Sequence, residues 1–235
     1  DAPFCLFISP HQPHITPGQF APEEYYERLP EKLAMPDNVP AEALPEALRM
    51  YRHYLAMTCA VDDMLGSILT YLDDHGLTDN TLVVFTSDHG TMAGSHAEEL
   101  SRFGAKHVPW LKMLPYEESI RVPLVMRGPS FLDGGIRCNA LTSPVDLFPS
   151  ICSLLEVPVP SGLEGRDLSG AWKGEPDAHE QQAVLGMNFT GAYNYLQDGE
   201  EWRGVRTLRH SYAQRLDGDE CLYDLQADPL ERVNL

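Results

Sequence analysis

The sequence predicts an α/β protein with a central, mostly parallel sheet flanked by helices and a small antiparallel sheet at its carboxyl end. Short apolar runs at residues 4–9, 82–85 and 120–127, bounded by turn residues, are typical of buried strands. A long helical pattern separates the first two runs, and four short strand-like segments follow residue 182. We therefore predict two parts, an α/β part at residues 1–176 and a small antiparallel-sheet subdomain at residues 177–235.

The first predicted strand, residues 4–9, ends in a turn that contains two histidines, His11 and His14. A proline on either side of His11 stiffens this turn and prevents a helix from starting. Ligands of α/β proteins bind at the carboxyl ends of strands, so both imidazoles would be well placed to meet one. From the residues alone, a solvated loop and a functional pair are equally reasonable interpretations.

The next segment, residues 23–45, is rich in proline and charge and predicts a surface loop. A long helix is predicted from Ala41, because apolar residues then recur at spacings of three and four. Asp62 and Asp63 interrupt this stripe; they are either a carboxylate pair for metal or acid-base chemistry or, as we favour, acids held by a nearby basic or backbone group. Gly76 is predicted to end the helix in the left-handed conformation. The predicted stripe comprises Leu44, Leu48, Tyr51, Leu55, Cys59, Leu65, Ile68, Leu69 and Leu72.

The central predicted strand, residues 82–85, is uninterrupted and apolar, which indicates burial on both faces of a parallel sheet. It leads into Asp88 and His89, and Gly90 then lets the backbone turn away. A carboxylate and an imidazole side by side are half of a metal site within reach of an anionic substrate. Oxygen ligands favour hard cations, so Ca²⁺ or Mg²⁺ is expected.

The remaining elements are predicted from local patterns. Residues 91–110 are predicted to form a long polar loop or a short irregular helix that would wall the site, and residues 144–155 to form a helix with Leu147, Ile151 and Leu154 facing inward. The small sheet would use residues 183–188, 202–208, 211–216 and 222–225, with Tyr193, Tyr195 and Trp202 as core or rim aromatics.

Composition limits the classes of partner. A net charge of −18 argues against nucleic acid, and no apolar run approaches the roughly 20 residues of a membrane span. The five cysteines are odd in number and scattered, so they describe neither a disulfide framework nor a zinc module. A reducing, cytoplasmic compartment is favoured, and a periplasmic or secreted location stays open.

Several separated motifs together resemble the sulfatase family of the alkaline phosphatase superfamily. They are NTLVVFTSDHG at residues 80–90, GSH at 94–96 and KMLPYEESIRVPLVMRGP at 112–129, in the family's order. Residues 4–14, 143–155 and 222–235 extend the likeness over nearly the whole chain. The resemblance implies a partial alkaline-phosphatase-like sandwich, in which residues 1–176 are the carboxyl-terminal part of the catalytic domain. It also implies a sulfuric ester hydrolase whose substrate is a small-molecule or carbohydrate sulfate ester.

The resemblance also implies the roles of individual residues. Asp88 and His89 would bind the metal, for which the family favours Ca²⁺. Lys112 would bind the sulfate and act in catalysis; we prefer it to Lys106, which precedes His107, because Lys112 has the family's spacing to Tyr116. His14 would contact the sulfate and protonate the leaving oxygen.

One family motif is absent from these 235 residues. The formylglycine nucleophile arises in Cys/Ser-x-Pro-x-Arg, but no cysteine here is followed two places on by proline, and Thr142-Ser143-Pro144 has Asp146 where arginine is needed. Formylglycine is therefore expected only in a missing amino-terminal part. We expect this chain alone to bind metal weakly, to be inactive, and to self-associate through a sheet left exposed.

Two alternatives to a sulfatase stay open. A phosphodiesterase or phosphonate monoester hydrolase of the same superfamily would also use an Asp-His pair, although dinuclear members need further histidines and Lys112 favours one metal and a sulfate. A non-catalytic structural module that keeps the fold is the second.

Overall fold

The structure is a computed structural model that describes residues 2–15, 20–98, 112–129, 132, 134–188 and 201–235. The described residues form two compact units. The first unit draws on Asp1–Leu77 and Met92–Leu111, and the second on Thr78–Thr91 and Lys112–Leu235. The predicted boundary between residues 176 and 177 stays a prediction.

The first unit is built on a long helix, α2 (Leu44–Asp74), and a short one, α1 (Glu23–Glu27). The predicted long helix is confirmed, and Gly76 ends it with a φ of 65°. Its apolar stripe is confirmed only in part, since Leu72 is buried while the other eight stripe residues are half-buried. Helix α1 lies within the predicted loop, where Glu23 and Glu24 in the first turn complement the helix dipole.

The two mid-helix acids of α2 are exposed, and a basic partner holds one of them. Arg28 donates to the Asp63 carboxylate at 2.7 Å, as the non-catalytic interpretation of this pair expects. Helix α2 is also the one described helix that is long and apolar enough to cross a membrane. Length and composition alone are weak evidence for a membrane span, because the core helices of soluble proteins share both.

The predicted strand at residues 4–9 is wrong for this structure. The segment forms no strand, and its apolar side chains are exposed, with Phe7 88% accessible. An extended segment becomes a strand only when another strand pairs with its backbone. None of the strands assigned in the described part of the chain pairs with this segment.

The second unit places the central strand, β1 (Val83–Thr86), beside β2 (Leu124–Arg127). The two strands are antiparallel, with Val84 opposite Met126, rather than parallel as the apolar run predicted. Burial on both faces is also wrong, since Val83, Val84 and Phe85 are half-buried. The 3₁₀ turn Thr78–Asn80 precedes β1, and the single-turn helix α3 (Glu117–Ile120) precedes β2.

Two further helices, α4 (Pro144–Leu154) and α5 (Ser169–Trp172), share a hydrophobic core with Leu124 and Met126 of β2. The predicted inward residues of α4 are confirmed. Ser143 and Asp146 form a capping box at its start, and the buried Asp146 also accepts the backbone N–H of Arg166 at 2.8 Å. The core of this layer comprises Leu154, Leu168 and Trp172, with Leu82, Leu124, Met126, Leu132, Leu147 and Ile151 packed against them.

The predicted small sheet is confirmed. It comprises β3 (Ala183–Asn188), β4 (Trp202–Thr207), β5 (His210–Arg215) and β6 (Glu220–Asp224), each antiparallel to the next. Alternate residues of these strands face inward, including the buried Trp202, Ala213 and Tyr223. Tyr193 and Tyr195 lie outside the described residues.

Candidate functional site

The turn after β1 brings together the two side chains that the sequence predicts to bind a metal. The Asp88 carboxylate oxygen Oδ2 lies 3.4 Å from His89 Nε2. Asp88 Oδ1 accepts the backbone N–H of His89 at 2.9 Å, which orients the carboxylate. Both side chains are open to solvent, with 83% of Asp88 and 41% of His89 accessible.

The proton of the His89 ring is placed by its neighbour. Nδ1 lies 2.8 Å from the carbonyl oxygen of Gly90, which can only accept a hydrogen bond. Nδ1 therefore carries the proton in the neutral ring, and Nε2 presents its lone pair beside Asp88 Oδ2. A backbone carbonyl on the far nitrogen is the usual support of a metal-binding histidine.

Gly90 fixes this turn against α3. Its N–H donates to the carbonyl of Ser119 at 2.8 Å, and a Cβ built on Gly90 would lie 2.0 Å from the carbonyl oxygen of Glu118. The sequence predicted that Gly90 lets the backbone turn. The structure gives a different reason, because only glycine allows the backbone of α3 to approach so closely.

Lys112 belongs to the same compact unit as Asp88 and His89. Burial lowers the pKa of Lys112, and the negative charge of Asp88 acts in the opposite direction. The two side chains therefore lie within electrostatic range of each other. The second unit thus contains an acid, an imidazole and an ammonium group, which are three of the four predicted site residues.

The fourth, His14, belongs to the first unit. Its ring is exposed and lies 4.9 Å from that of His11, centroid to centroid, and its backbone N–H donates to the carbonyl of His11 at 3.0 Å. The turn therefore presents two imidazoles side by side. The sequence offered both, and the choice of His14 over His11 rests on the resemblance alone.

The predicted wall at residues 91–110 is described only as far as Glu98. Its start is held inside the first unit, where the backbone N–H of His96 donates to the carbonyl of Asn38 at 3.1 Å and the buried Ser95 donates to the Asn38 side chain. Lys106 and His107 lie outside the described residues.

The donor set fits a hard divalent cation. Asp88 offers an anionic oxygen and His89 a neutral nitrogen, and both are oriented by backbone groups. Two protein ligands are fewer than Ca²⁺ takes, so other oxygen ligands would have to complete the shell. No residue of this chain stands in a motif that yields formylglycine.

Sequence reasoning missed the residues that support this site. Trp202 of β4 was predicted only as an ordinary aromatic, yet its indole N–H donates to the carbonyl of Met113, next to Lys112. The two partners are 89 positions apart in the chain. No local periodicity reports a contact of that kind.

Comparison with known proteins gives one consistent result. The chain matches the sulfatase family model over residues 1–157, and the model described as N-sulphoglucosamine sulphohydrolase, C-terminal, over residues 106–235. An ulvan-active sulfatase from Formosa agariphila is 33% identical over 240 residues, which cover 100% of this chain and 44% of that protein.

Two solved structures are similar in fold. One, described as a complex with its substrate D-glucosamine-2-N,6-O-disulfate, is 28% identical with a TM-score of 0.70, over 84% of this chain and 38% of that one. The other, a phosphonate monoester hydrolase of Agrobacterium radiobacter, is 27% identical with a TM-score of 0.67, over 80% and 37%. The likenesses confirm the predicted alkaline-phosphatase-like α/β fold class, while the described β1–β2 pair is antiparallel. The chain spans less than half the length of the curated relatives that it matches.

Proposed function

Because this chain belongs to the sulfatase family, we propose that it supplies the cation and sulfate-binding side of an active site that hydrolyses sulfate esters of carbohydrates. The observation that carries the proposal is the paired ligand atoms of Asp88 and His89, 3.4 Å apart, within electrostatic range of Lys112. The substrate class is supported by the disulfated glucosamine of one similar structure and by the ulvan-active relative.

Each side chain has a distinct role in this proposal. Asp88 Oδ2 and His89 Nε2 would hold the cation, which we propose to be Ca²⁺, with Mg²⁺ as the second choice. When bound, the cation supplies positive charge that stabilises the anionic sulfate. Lys112 would donate hydrogen bonds to the sulfate oxygens, and its half-buried position strengthens that attraction.

The remaining chemistry is divided between His14 and a nucleophile. His14, in its protonated form, would give a proton to the oxygen of the leaving alcohol. We propose that the formylglycine nucleophile comes from a segment outside these 235 residues, because the motif that produces it does not occur within them.

The first test is made in the full-length enzyme. Lys112→Ala should lower kcat/KM for a glucosamine sulfate by 100-fold or more, the usual cost of removing one oxyanion donor. Lys32→Ala, at an exposed lysine of the other unit, is the control and should leave the rate unchanged. Undiminished hydrolysis by Lys112→Ala would contradict the role of Lys112, and inactivity of the wild-type enzyme on every sulfate ester would favour a non-catalytic module.

A second candidate function has a specific observation behind it, the similarity to a phosphonate monoester hydrolase. We expect the full-length enzyme to hydrolyse 4-nitrophenyl sulfate with a higher kcat/KM than it hydrolyses 4-nitrophenyl phenylphosphonate. The reverse order would support the phosphonate hydrolase instead.

The isolated chain gives a further test. We expect Ca²⁺ titrated calorimetrically into it to bind weakly and 4-nitrophenyl sulfate not to turn over, because the nucleophile and other metal ligands would be absent. Micromolar binding of Ca²⁺ or sustained turnover would overturn this part of the proposal.

A further inference from the structure

Side chains of the small antiparallel sheet donate hydrogen bonds to the backbone next to Lys112. The Nε1–H of Trp202, on β4, donates to the carbonyl oxygen of Met113 at 2.6 Å, and the side-chain amide of Asn188, on β3, reaches the same oxygen at 3.3 Å. Trp202 is only 5% accessible. Because these two donors occupy the carbonyl of the half-buried Met113, they set where the residue after Lys112 lies.

A second anchor lies four residues further along both segments. Arg206, also on β4, makes a bidentate ion pair with Glu117, at 2.7 Å and 3.1 Å. Both side chains are largely shielded from solvent, so the pair is stronger than a surface pair. Glu117 is held a second time, because its backbone N–H donates to the buried carboxylate of Glu231 at 2.8 Å.

Two glycines make room for the first anchor. Gly186 of β3 and Gly204 of β4 lie opposite each other, and a Cβ on either would come within 3.2–3.3 Å of the Trp202 ring. Side chains at these two positions would crowd the indole. The sheet is therefore shaped around Trp202, and Trp202 and Arg206 face the same way because they are four residues apart on one strand.

The two anchors, Trp202 and Arg206, are connected to the turn at Asp88 and His89 as well as to Lys112. Glu117 begins α3, and α3 accepts the hydrogen bond from Gly90, directly after Asp88 and His89. We infer that Trp202 and Arg206 are positioning residues, through which the antiparallel sheet sets Lys112 in place relative to the Asp88–His89 turn. This inference rests on the proposed function and extends it to a subdomain with no ligand of its own in that proposal.

The test replaces Trp202 by phenylalanine in the full-length enzyme, which keeps the buried ring and removes the N–H. We expect kcat for a glucosamine sulfate to fall about 10-fold to 100-fold with KM little changed, since small misplacements of a catalytic group are costly. The matched control is Trp172→Phe in the helical core, 8% accessible, which should lower the Tm without lowering kcat. Arg206→Lys keeps the charge, loses the bidentate geometry and should lower kcat by a smaller factor.

A double-mutant cycle with Lys112→Ala separates positioning from a general loss of stability. If Trp202 acts through Lys112, then Trp202→Phe should cost nothing further once Lys112 is alanine, whereas independent effects would multiply. Multiplying effects, or an unchanged kcat in both Trp202→Phe and Arg206→Lys, would overturn the inference.

A chemical readout keeps the inference testable apart from catalysis. In the isolated chain, trinitrobenzenesulfonate labelling followed by mass spectrometry should show Lys112 reacting several-fold faster, relative to Lys32, in Trp202→Phe than in the wild type or Trp172→Phe. An unchanged ratio would contradict the claim that Trp202 positions Lys112. If instead the ratio rises while Lys112→Ala leaves sulfate hydrolysis intact, the proposed function fails and the anchors stand.

Discussion

The two histidine-bearing turns of this protein are supported in opposite ways. The turn at Asp88 and His89 has an exposed carboxylate and imidazole on a backbone that is hydrogen-bonded to α3, and Arg206 of the small sheet in turn holds α3 through Glu117. The turn at His11 and His14 follows a segment in which Phe4 and Phe7 are themselves exposed and no strand is formed. Both turns present polar groups to solvent, but only the first rests on a buried framework among the described residues of its own unit.

The difference shows where the precision of a site originates. Exposed side chains have many rotamers, so the positions of their backbones decide what they can hold. Asp88 and His89 gain that definition from Gly90, a residue without a side chain.

The largest effect is expected when the contact between Gly90 and α3 is broken. Gly90→Ala places a Cβ 2.0 Å from the carbonyl of Glu118, so the turn or the helix must move. We expect a loss of about 3 kcal/mol in the free energy of unfolding of this chain, measured in urea. Gly66→Ala is the control, since its Cβ would meet nothing within 4 Å and alanine favours a helix interior by about 0.5–1 kcal/mol. Equal stabilities for the two variants would mean that the Gly90 backbone has room for a Cβ beside α3.

The second prediction concerns the two histidines of the less supported turn. His14→Ala in the full-length enzyme should lower kcat for an alkyl sulfate about 100-fold, because a poor leaving group needs a proton. The loss should be much smaller for 4-nitrophenyl sulfate, whose leaving group is already stable as an anion. His11→Ala, with its ring 4.9 Å away, is the comparison and should lack this dependence on the leaving group. The opposite pattern would transfer the role from His14 to His11.

The third prediction uses pH to probe Glu231, which holds α3. Burial raises the pKa of Glu231 from 4.5 to about 7. Between these two pH values the folded protein keeps a proton on Glu231 that the unfolded chain has lost. Stability from this group is therefore present below pH 4.5 and declines as the pH rises to about 7. Glu231→Gln stays neutral and can still accept the N–H of Glu117. We expect the variant to gain about 2–3 kcal/mol on the wild type between pH 5 and pH 8 in urea unfolding.

Glu156→Gln is the matched control for that experiment. Glu156 also has a left-handed backbone, with φ of 54° against 51° for Glu231, but its side chain is exposed. Its substitution should leave the pH dependence of stability unchanged. A parallel shift in both variants would show that the effect comes from overall charge rather than from burial at position 231.

The smallest effect is expected at Asp63, the acid that could have been mistaken for a metal ligand. Asp63→Asn removes an exposed ion pair with Arg28, and such pairs contribute little. We expect no measurable change in Tm, in Ca²⁺ affinity or in sulfatase activity of the full-length enzyme. Weaker Ca²⁺ binding would restore the carboxylate-pair hypothesis for α2.

The elements that the sequence predicted well are those whose signal is local. Helix α2 and the four strands of the small sheet follow from local patterns, and Asp88 and His89 were predicted as site residues because they follow an apolar strand. The predicted strand at residues 4–9 shows the limit, since its composition fits a strand but pairing depends on a partner. The antiparallel pairing of β1 with β2 was missed for the same reason, because an apolar run does not report its neighbour's direction.

The support of the site was the least predictable part. Gly90 looked like a turn residue, although its role is set by the carbonyl of Glu118, and Glu231 looked like one more acid in a chain with a net charge of −18. Trp202 and Met113 make their contact across 89 positions, which no short window of sequence can reveal. Residues with reactive side chains can be recognised in the sequence, whereas the residues that hold them in place are identified only from the structure.

The equal spacing of the two anchors limits how this protein can change its length. Trp202 and Arg206 are separated by four residues of one strand, and their partners Met113 and Glu117 by four residues of another segment. Inserting a single residue between Trp202 and Arg206 would turn one of them to the opposite face of the sheet. We therefore expect related proteins that keep both anchors to have no insertions or deletions within residues 113–117 or 202–206, even where single substitutions occur there.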